Sequence, residues 1–309
     1  MREIIILGES LIDFVSQNYS HELKSVSTFT RHAGGSPANI ASNLIDFGID
    51  PYLITRVGND PFGKFLIEEF KGKKINTSFV QIDSEHNTSI VFVSKSPDTP
   101  QFMPLRSADY FLEYDDRLRE IICTTEYFHI SAWAISHNPI RNTVNRILKE
   151  AESSKTRLCF DPNYRKVLWE NKNNALDIIK QILKKTWLCK PSDDDAFHIF
   201  GKDTFENYIS RFHRAGAKNV ILTIGKDGAL VSDGKTIKHL PSVAKEVIDS
   251  TGAGDGFWSG LYYSLLQGKD LFSAAETGGA VAAYRLKSIG SDESLPNIEV
   301  ISEEFLALD

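Results

Sequence analysis

Two kinds of apolar spacing alternate along the chain. Short β-branched or continuous apolar runs occur at Ile4–Leu7, at Tyr52–Val57, in YFHISAW from Tyr127, in RLCFD from Arg157, in TWLCKPS from Thr186 and in NVILTIG from Asn219. Such runs read as buried strands. Between them the apolar positions take helical spacing. One face is Ala38, Ile40, Ala41, Leu44, Ile45 and Phe47, closed by Gly48. Further helices are predicted from GNDPFG through Phe70, over Pro139–Ser153, Leu176–Lys184, in DDDAFHIFG, over Glu206–Ala215 and Leu271–Leu286, with a short tail after Pro296. Strand–helix alternation with apolar strands predicts an α/β fold of three layers, α-β-α, around a mostly parallel central sheet. Val26–Arg31 and the alternating Thr88–Ser94 break that pattern and predict a small β-sheet, formed by inserted segments around 14–32 and 86–108. Ala229–Ser232 and Thr236–Leu240 read as a hairpin. No internal repeat or linker divides the chain, so 1–309 is expected to be a single domain.

The most informative stretch is DSTGAGD, Asp249–Asp255, which runs into the apolar helix Phe257, Trp258, Leu261, Tyr262, Leu265, Leu266. Gly252 and Gly254 flank Ala253, so the chain can turn sharply with little to shield its N–H groups. The first N–H groups of a helix lack internal partners and carry the positive end of its dipole, which suits a phosphate. Asp255 lies in that field, where a carboxylate is favoured and could take a proton from a hydroxyl. The plainer alternative is that Asp255 caps the helix and the glycines only turn the chain.

Composition narrows the classes. Of 309 residues 41% are hydrophobic and 25% charged, ordinary for a globular protein, and the net charge of −6 has no basic block. Nucleic acid and membrane are therefore not expected as partners. Cys123, Cys159 and Cys189 are isolated and read as reduced core thiols, and the N-terminus lacks the pattern of a signal peptide, so a cytoplasmic location is expected.

Polar clusters follow the predicted strands: Asp13, Gly34–Asn39, Asp161–Arg165, Ser192–Asp195, Thr223–Gly228 and Asp249–Asp255. In a parallel sheet those ends share one edge, where ligands collect. Glu9 and Asp13 come just after the first strand, and Asn39 offers the donor and acceptor that sugar hydroxyls require. LGESLID is not the GxGxxG of a dinucleotide fold, no GxxxxGK[ST] is present, and no His, Glu or Cys cluster has metalloenzyme spacing. His32, His129, His137 and His198 are read as structural.

With GGSPANIA, DPNYRKVLW, KPSDDD, LTIGKDGA, DSTGAGD and SDESLPN in this order over almost its full length, the chain resembles the ribokinase-like (PfkB) family of carbohydrate kinases, most of all its fructokinases. Ser250 stands where the family's D-T-x-GAGD commonly has Thr.

The resemblance implies ATP-dependent phosphorylation of a sugar hydroxyl with Mg²⁺. It implies Asp255 as catalytic base and Gly252, Ala253 and Gly254 as the anion hole. Asp13, Gly34, Gly35 and Asn39 match sugar contacts, with Arg106 and Arg165 near the sugar's far end. Lys190, Thr223, Gly225 and Gly228 match the nucleotide side. Asp195 matches the acidic end of the N-x-x-E motif that organises Mg²⁺, although Ser192–Asp195 changes both end residues. Asp249 and Ser250 lie where many members bind a monovalent cation, K⁺ among them. The small sheet resembles the family's lid, which in some members also forms a homodimer. Fructose is the expected substrate, with 2-keto-3-deoxygluconate or another family sugar as the alternative. A catalytically inactive sugar sensor is the rival of another class, against which the intact Asp255 speaks.

Overall fold

The computed structural model describes residues 4–95, 101–169, 174–288 and 293–306. Ser291 and Asp292 of SDESLPN lie outside them. The chain opens with β1 (Ile4–Leu7), passes through β2 (Leu11–Tyr19) and β3 (Phe29–Gly34), and enters α1 (Ser36–Asp46). Then come β4 (Tyr52–Gly58), α2 (Pro61–Gly72), β5 (Val80–Asp83), β6 (Ile90–Lys95), β7 (Phe102–Leu105) and α3 (Leu118–Thr124). The second half alternates regularly: β8 (Tyr127–Ser131), α4 (Ile140–Ala151), β9 (Arg157–Asp161), α5 (Ala175–Leu183), β10 (Leu188–Cys189), α6 (Asp193–Phe200) and α7 (Phe205–Ala215). It closes with β11 (Asn219–Thr223), the hairpin β12 (Ala229–Ser232) and β13 (Ile237–Leu240), and three helices, α8 (Ala253–Leu266), α9 (Leu271–Arg285) and α10 (Ile298–Phe305).

Nine strands form the large sheet in the order β13-β12-β11-β10-β9-β8-β1-β4-β5, parallel except for the terminal hairpin. Because successive strand residues point to opposite faces, each central strand feeds two cores. Ile5 and Leu7, Phe128 and Ile130, Leu158 and Phe160 pack on the side of α3–α7. Ile4 and Ile6, Tyr127, Cys159 and Ile221 pack on the side of α1, α8 and α9. Burial on both faces explains why these strands read as continuous apolar runs, and it produces the expected three layers.

The second sheet has the order β3-β2-β6-β7. β2 is not among the strands read from the sequence, and its presence corrects the placement of Asp13. Asp13 does not lie just past a main-sheet strand but inside β2, opposite His32 on β3 and Val91 on β6. β5, β7 and α3 were not foreseen, and TWLCKPS shrinks to a two-residue strand. Cys159 and Cys189 are buried, but Cys123 is exposed, so it is not a core thiol. Among the described residues no helix is long and apolar enough to cross a membrane.

Candidate active site

Asp255 is the third residue of α8. Gly252, at φ 78°, takes the left-handed conformation before the helix, so the turn into α8 depends on a glycine there. Gly254 is different. It has no positive φ, and a Cβ on it would meet only Lys190 Nζ, at 3.9 Å. The special backbone is thus at Gly252, whereas Gly254 contributes open space.

The carboxylate of Asp255 does not cap its own helix. Ser36 Oγ donates to Oδ1 at 2.6 Å and Asn39 Nδ2 donates to Oδ2 at 2.9 Å, both from the first turn of α1. Enclosure by protein pushes its pKa up to about 6, opposed by those two hydrogen bonds. Gly35, the N-cap of α1, has φ 104°, and a Cβ there would collide with the carbonyl oxygen of Glu9. A Cβ on Gly34 would collide with the carboxylate of Asp13. The two glycines therefore let the start of α1 pack closely on β2 and on the chain after β1, with Asp13 against Gly34, while Ser36 and Asn39 reach Asp255.

On the other side of α8 lie the ends of β9 and β10. Lys190, 4% exposed, stands with Nζ 3.7 Å from Asp161 Oδ2. The indole Nε1–H of Trp258, one turn along from Asp255, donates to that same oxygen at 2.7 Å. Thr223 ends β11 and donates its N–H to Pro191 O at 3.0 Å, joining the KPS segment to this edge. Gly225 (φ 56°) has open space around it, while a Cβ on Gly228 (φ 92°) would strike Leu240 O. Gly228 therefore serves the turn into the terminal hairpin.

Four expected site residues are engaged in ways the sequence did not show. Arg106 is enclosed, its side chain 2% exposed. It donates through Nε at 2.8 Å and Nη2 at 2.5 Å to Asp109 Oδ2, and through Nη1 at 2.7 Å to Ser136 Oγ. Its Nε, Nη1 and Nη2 are thus all engaged within the protein. Arg165 is half-exposed, 3.9 Å from Asp194. Asp195 completes a capping box on α6: Ser192 N–H donates to Oδ2 at 2.9 Å and Ser192 Oγ accepts from the Asp195 N–H. Tyr164 N–H donates to its Oδ1 at 2.6 Å. Both carboxylate oxygens thus serve backbone donors, and burial raises the pKa. Asp249 Oδ1 accepts from the N–H and hydroxyl of Thr251. Among the described residues no group of three or more His, Cys, Asp or Glu is arranged to hold a metal.

Ser36 contributes without a role in the sequence reading; its signal is its place directly after Gly34–Gly35. Asp161 and Glu9 stand after predicted strands without a role of their own. Glu9 is 4% exposed, and burial pushes its pKa up to about 8 in the combined field of Arg106, Asp109 and Asp255.

Comparison with known proteins shows the family. The profile described as pfkB family carbohydrate kinase matches residues 1–298. An ATP-dependent 6-phosphofructokinase of Thermoanaerobacterium thermosaccharolyticum is 42% identical over 304 residues, 98% of this chain and 94% of that protein. A 5-dehydro-2-deoxygluconokinase of Clostridium botulinum is 30% identical over 312 residues, covering 97% and 92%. Among solved structures, a fructokinase of Halothermothrix orenii superposes with a TM-score of 0.82 at 38% identity, covering 93% of this chain and 99% of that one.

Proposed function

This chain belongs to the pfkB family of carbohydrate kinases, and we propose that it transfers the γ-phosphoryl group of ATP to a primary hydroxyl of D-fructose, giving fructose 6-phosphate and ADP. The observation that carries this reading is the setting of Asp255. Its carboxylate is held by two donors from α1 instead of capping α8, at a helix start that faces the buried ammonium of Lys190. A carboxylate with a pKa of about 6 is ionised at neutral pH yet basic enough to assist a hydroxyl.

In the proposed reaction the sugar lies between Asp13, Gly34, Gly35, Asn39 and Asp255. Asp255 accepts the hydroxyl proton as that oxygen bonds to the γ-phosphorus. The bond from phosphorus to the β–γ bridging oxygen breaks, and ADP leaves with the electron pair. Such transfer needs alignment and charge neutralisation more than covalent chemistry. The N–H groups of Gly252 and Gly254, the α8 dipole and Lys190 supply the neutralisation without reorganisation, whereas the Ala253 N–H, which donates to Ser250 O at 3.3 Å, would have to turn from it. Thr223 and Gly225 border the nucleotide. Mg²⁺, when bound with the nucleotide, neutralises phosphate charge. It needs few protein carboxylates, and Asp195, whose oxygens each keep a second lone pair beside their backbone donors, would be the residue to hold it. Asp249 and Ser250 would supply oxygen donors for a monovalent cation such as K⁺. The small sheet would act as the lid that excludes water, and its exposed Tyr19, Met103 and Leu105 would meet a second copy in a cytoplasmic homodimer.

A second reading, fructose 6-phosphate as acceptor, is favoured by the 42% identical relative. It would need a cation at the sugar's far end; Arg106 is already committed to Asp109, which leaves the half-exposed Arg165 for that part. The test is nuclear magnetic resonance of the product. Phosphate on C6 of fructose supports the proposal, whereas phosphate added to C1 of fructose 6-phosphate overturns it in favour of the second reading.

A further inference from the structure

We propose that Asp161 and Trp258 are positioning residues that hold the ammonium of Lys190 against the first turn of α8, where it meets the transferring phosphoryl group. This rests on the kinase reading above and adds the device that aims its cation.

Lys190 follows β10 and is tied to the neighbouring strand by its N–H, which donates to Phe160 O at 3.1 Å. Its stem is buried, and Nζ lies 5.3 Å from the ring centre of Trp258 and 5.8 Å from that of Phe257. Asp161 ends β9, the strand beside β10. Its Oδ2 faces both the indole N–H and the ammonium, while Oδ1 accepts from Asn163 N–H at 3.2 Å. With both oxygens engaged the carboxylate cannot turn. Trp258 is itself fully buried and stacked on Tyr262 with 5.2 Å between ring centres, so the donor that fixes Asp161 is rigid.

The ammonium is paired by charge but not spent. At 3.7 Å it is too far from Asp161 to hydrogen-bond, and it makes no hydrogen bond among the described residues. Nζ is also the atom nearest to the space that a side chain on Gly254 would fill. A buried ion pair is weak as a source of stability, and an apolar residue would pack on Phe257 and Trp258 equally well. The arrangement makes sense if the positive charge is kept for an anion at the helix start. Asp161 then balances it while the site is empty, and the aromatic rings fix its direction.

The test is a double-mutant cycle on the full chain with Lys190→Met, Asp161→Asn and the pair, reading kcat, thermal stability, and the affinities for ATP and for adenosine. Lys190→Met should weaken ATP about 10-fold or more, the scale of a charge-assisted hydrogen bond, and leave adenosine unchanged. Asp161→Asn should lower kcat about 10-fold with adenosine affinity unchanged, and the double variant should be no slower than Lys190→Met alone. Trp258→Phe keeps the ring and loses the N–H, so it should lower kcat in the same direction. The proposal is overturned if the two single effects multiply, or if ATP and adenosine affinities fall together with the melting temperature. Should the parent protein phosphorylate no sugar, the kinase reading fails separately. The cycle on ATP affinity then decides this proposal: an Asp161→Asn effect that shrinks in the Lys190→Met background supports it, and an undiminished one overturns it.

Discussion

Asp255 illustrates how far a single residue could be understood before its neighbours were known. Its place in GAGD, ahead of an apolar helix, was enough to assign a carboxylate to an anion-binding turn. What the sequence could not show was whether it capped that helix. The answer depends on Ser36 and Asn39, more than 200 positions away, whose hydrogen bonds at 2.6 and 2.9 Å turn the carboxylate outward to α1. Asp255→Asn keeps the size and loses the proton acceptor. We expect folding and ATP affinity to hold while kcat falls by about 10²–10⁴, the usual loss for a general base; steady-state kinetics beside calorimetry checks this. The pH profile should follow. Because the folded-state pKa is raised from 3.8 to about 6, the stability contributed by this group is present below its ordinary pKa and is lost as pH rises through about 6. Activity runs the other way, since only the carboxylate can accept a proton. The acid limb of kcat/KM should therefore bend near pH 6, and a limb near 4 would speak against Asp255 as the base. Glu9 was legible as a carboxylate near a strand end, but nothing in its local sequence announced near-complete burial.

At the scale of elements, helix and strand periodicity located the main-sheet strands and most helices because burial on both faces leaves a plain apolar signature. It failed where burial is one-sided or the element is short. β2 carries Asp13 amid apolar residues and does not show as a strand; β7 and β10 span too few residues to show a period. The start of α8 divides two glycines that look alike in sequence. Gly252 holds φ 78°, so Gly252→Ala should cost about 1–2 kcal/mol, the strain of the left-handed region for an L-residue, and lower the melting temperature. Gly254 has ordinary helical geometry with space above it, so Gly254→Val should keep the melting temperature close to that of the parent while abolishing turnover by filling the phosphate path. Unfolding scans run beside activity measurements distinguish the two, and a destabilised but active Gly254→Val would reverse the assignment.

For the whole molecule, the sequence marked the small sheet as an insertion but not how it is joined to the body. The joint is a buried cluster around Asp109. That carboxylate accepts from Ser89 Oγ before β6, from Arg106 after β7, and from Trp133 Nε1 after β8 at 2.7 Å. No motif predicts such a meeting of three segments, whereas the resemblance to the family implies Arg106 as a sugar contact. Arg106→Ala would leave Asp109 buried without its countercharge and should destabilise the fold by about 3–5 kcal/mol, measurable by denaturant unfolding. A near-neutral effect would return Arg106 to the sugar. The central claim is that these parts together form a sugar kinase, and the most direct measurement is ADP release from ATP with a panel of sugars and a sugar-free control. The account predicts release that depends on sugar, is fastest with fructose, and is nearly lost in Asp255→Asn. Release that ignores the sugar, or no release with any member of the panel, would contradict it.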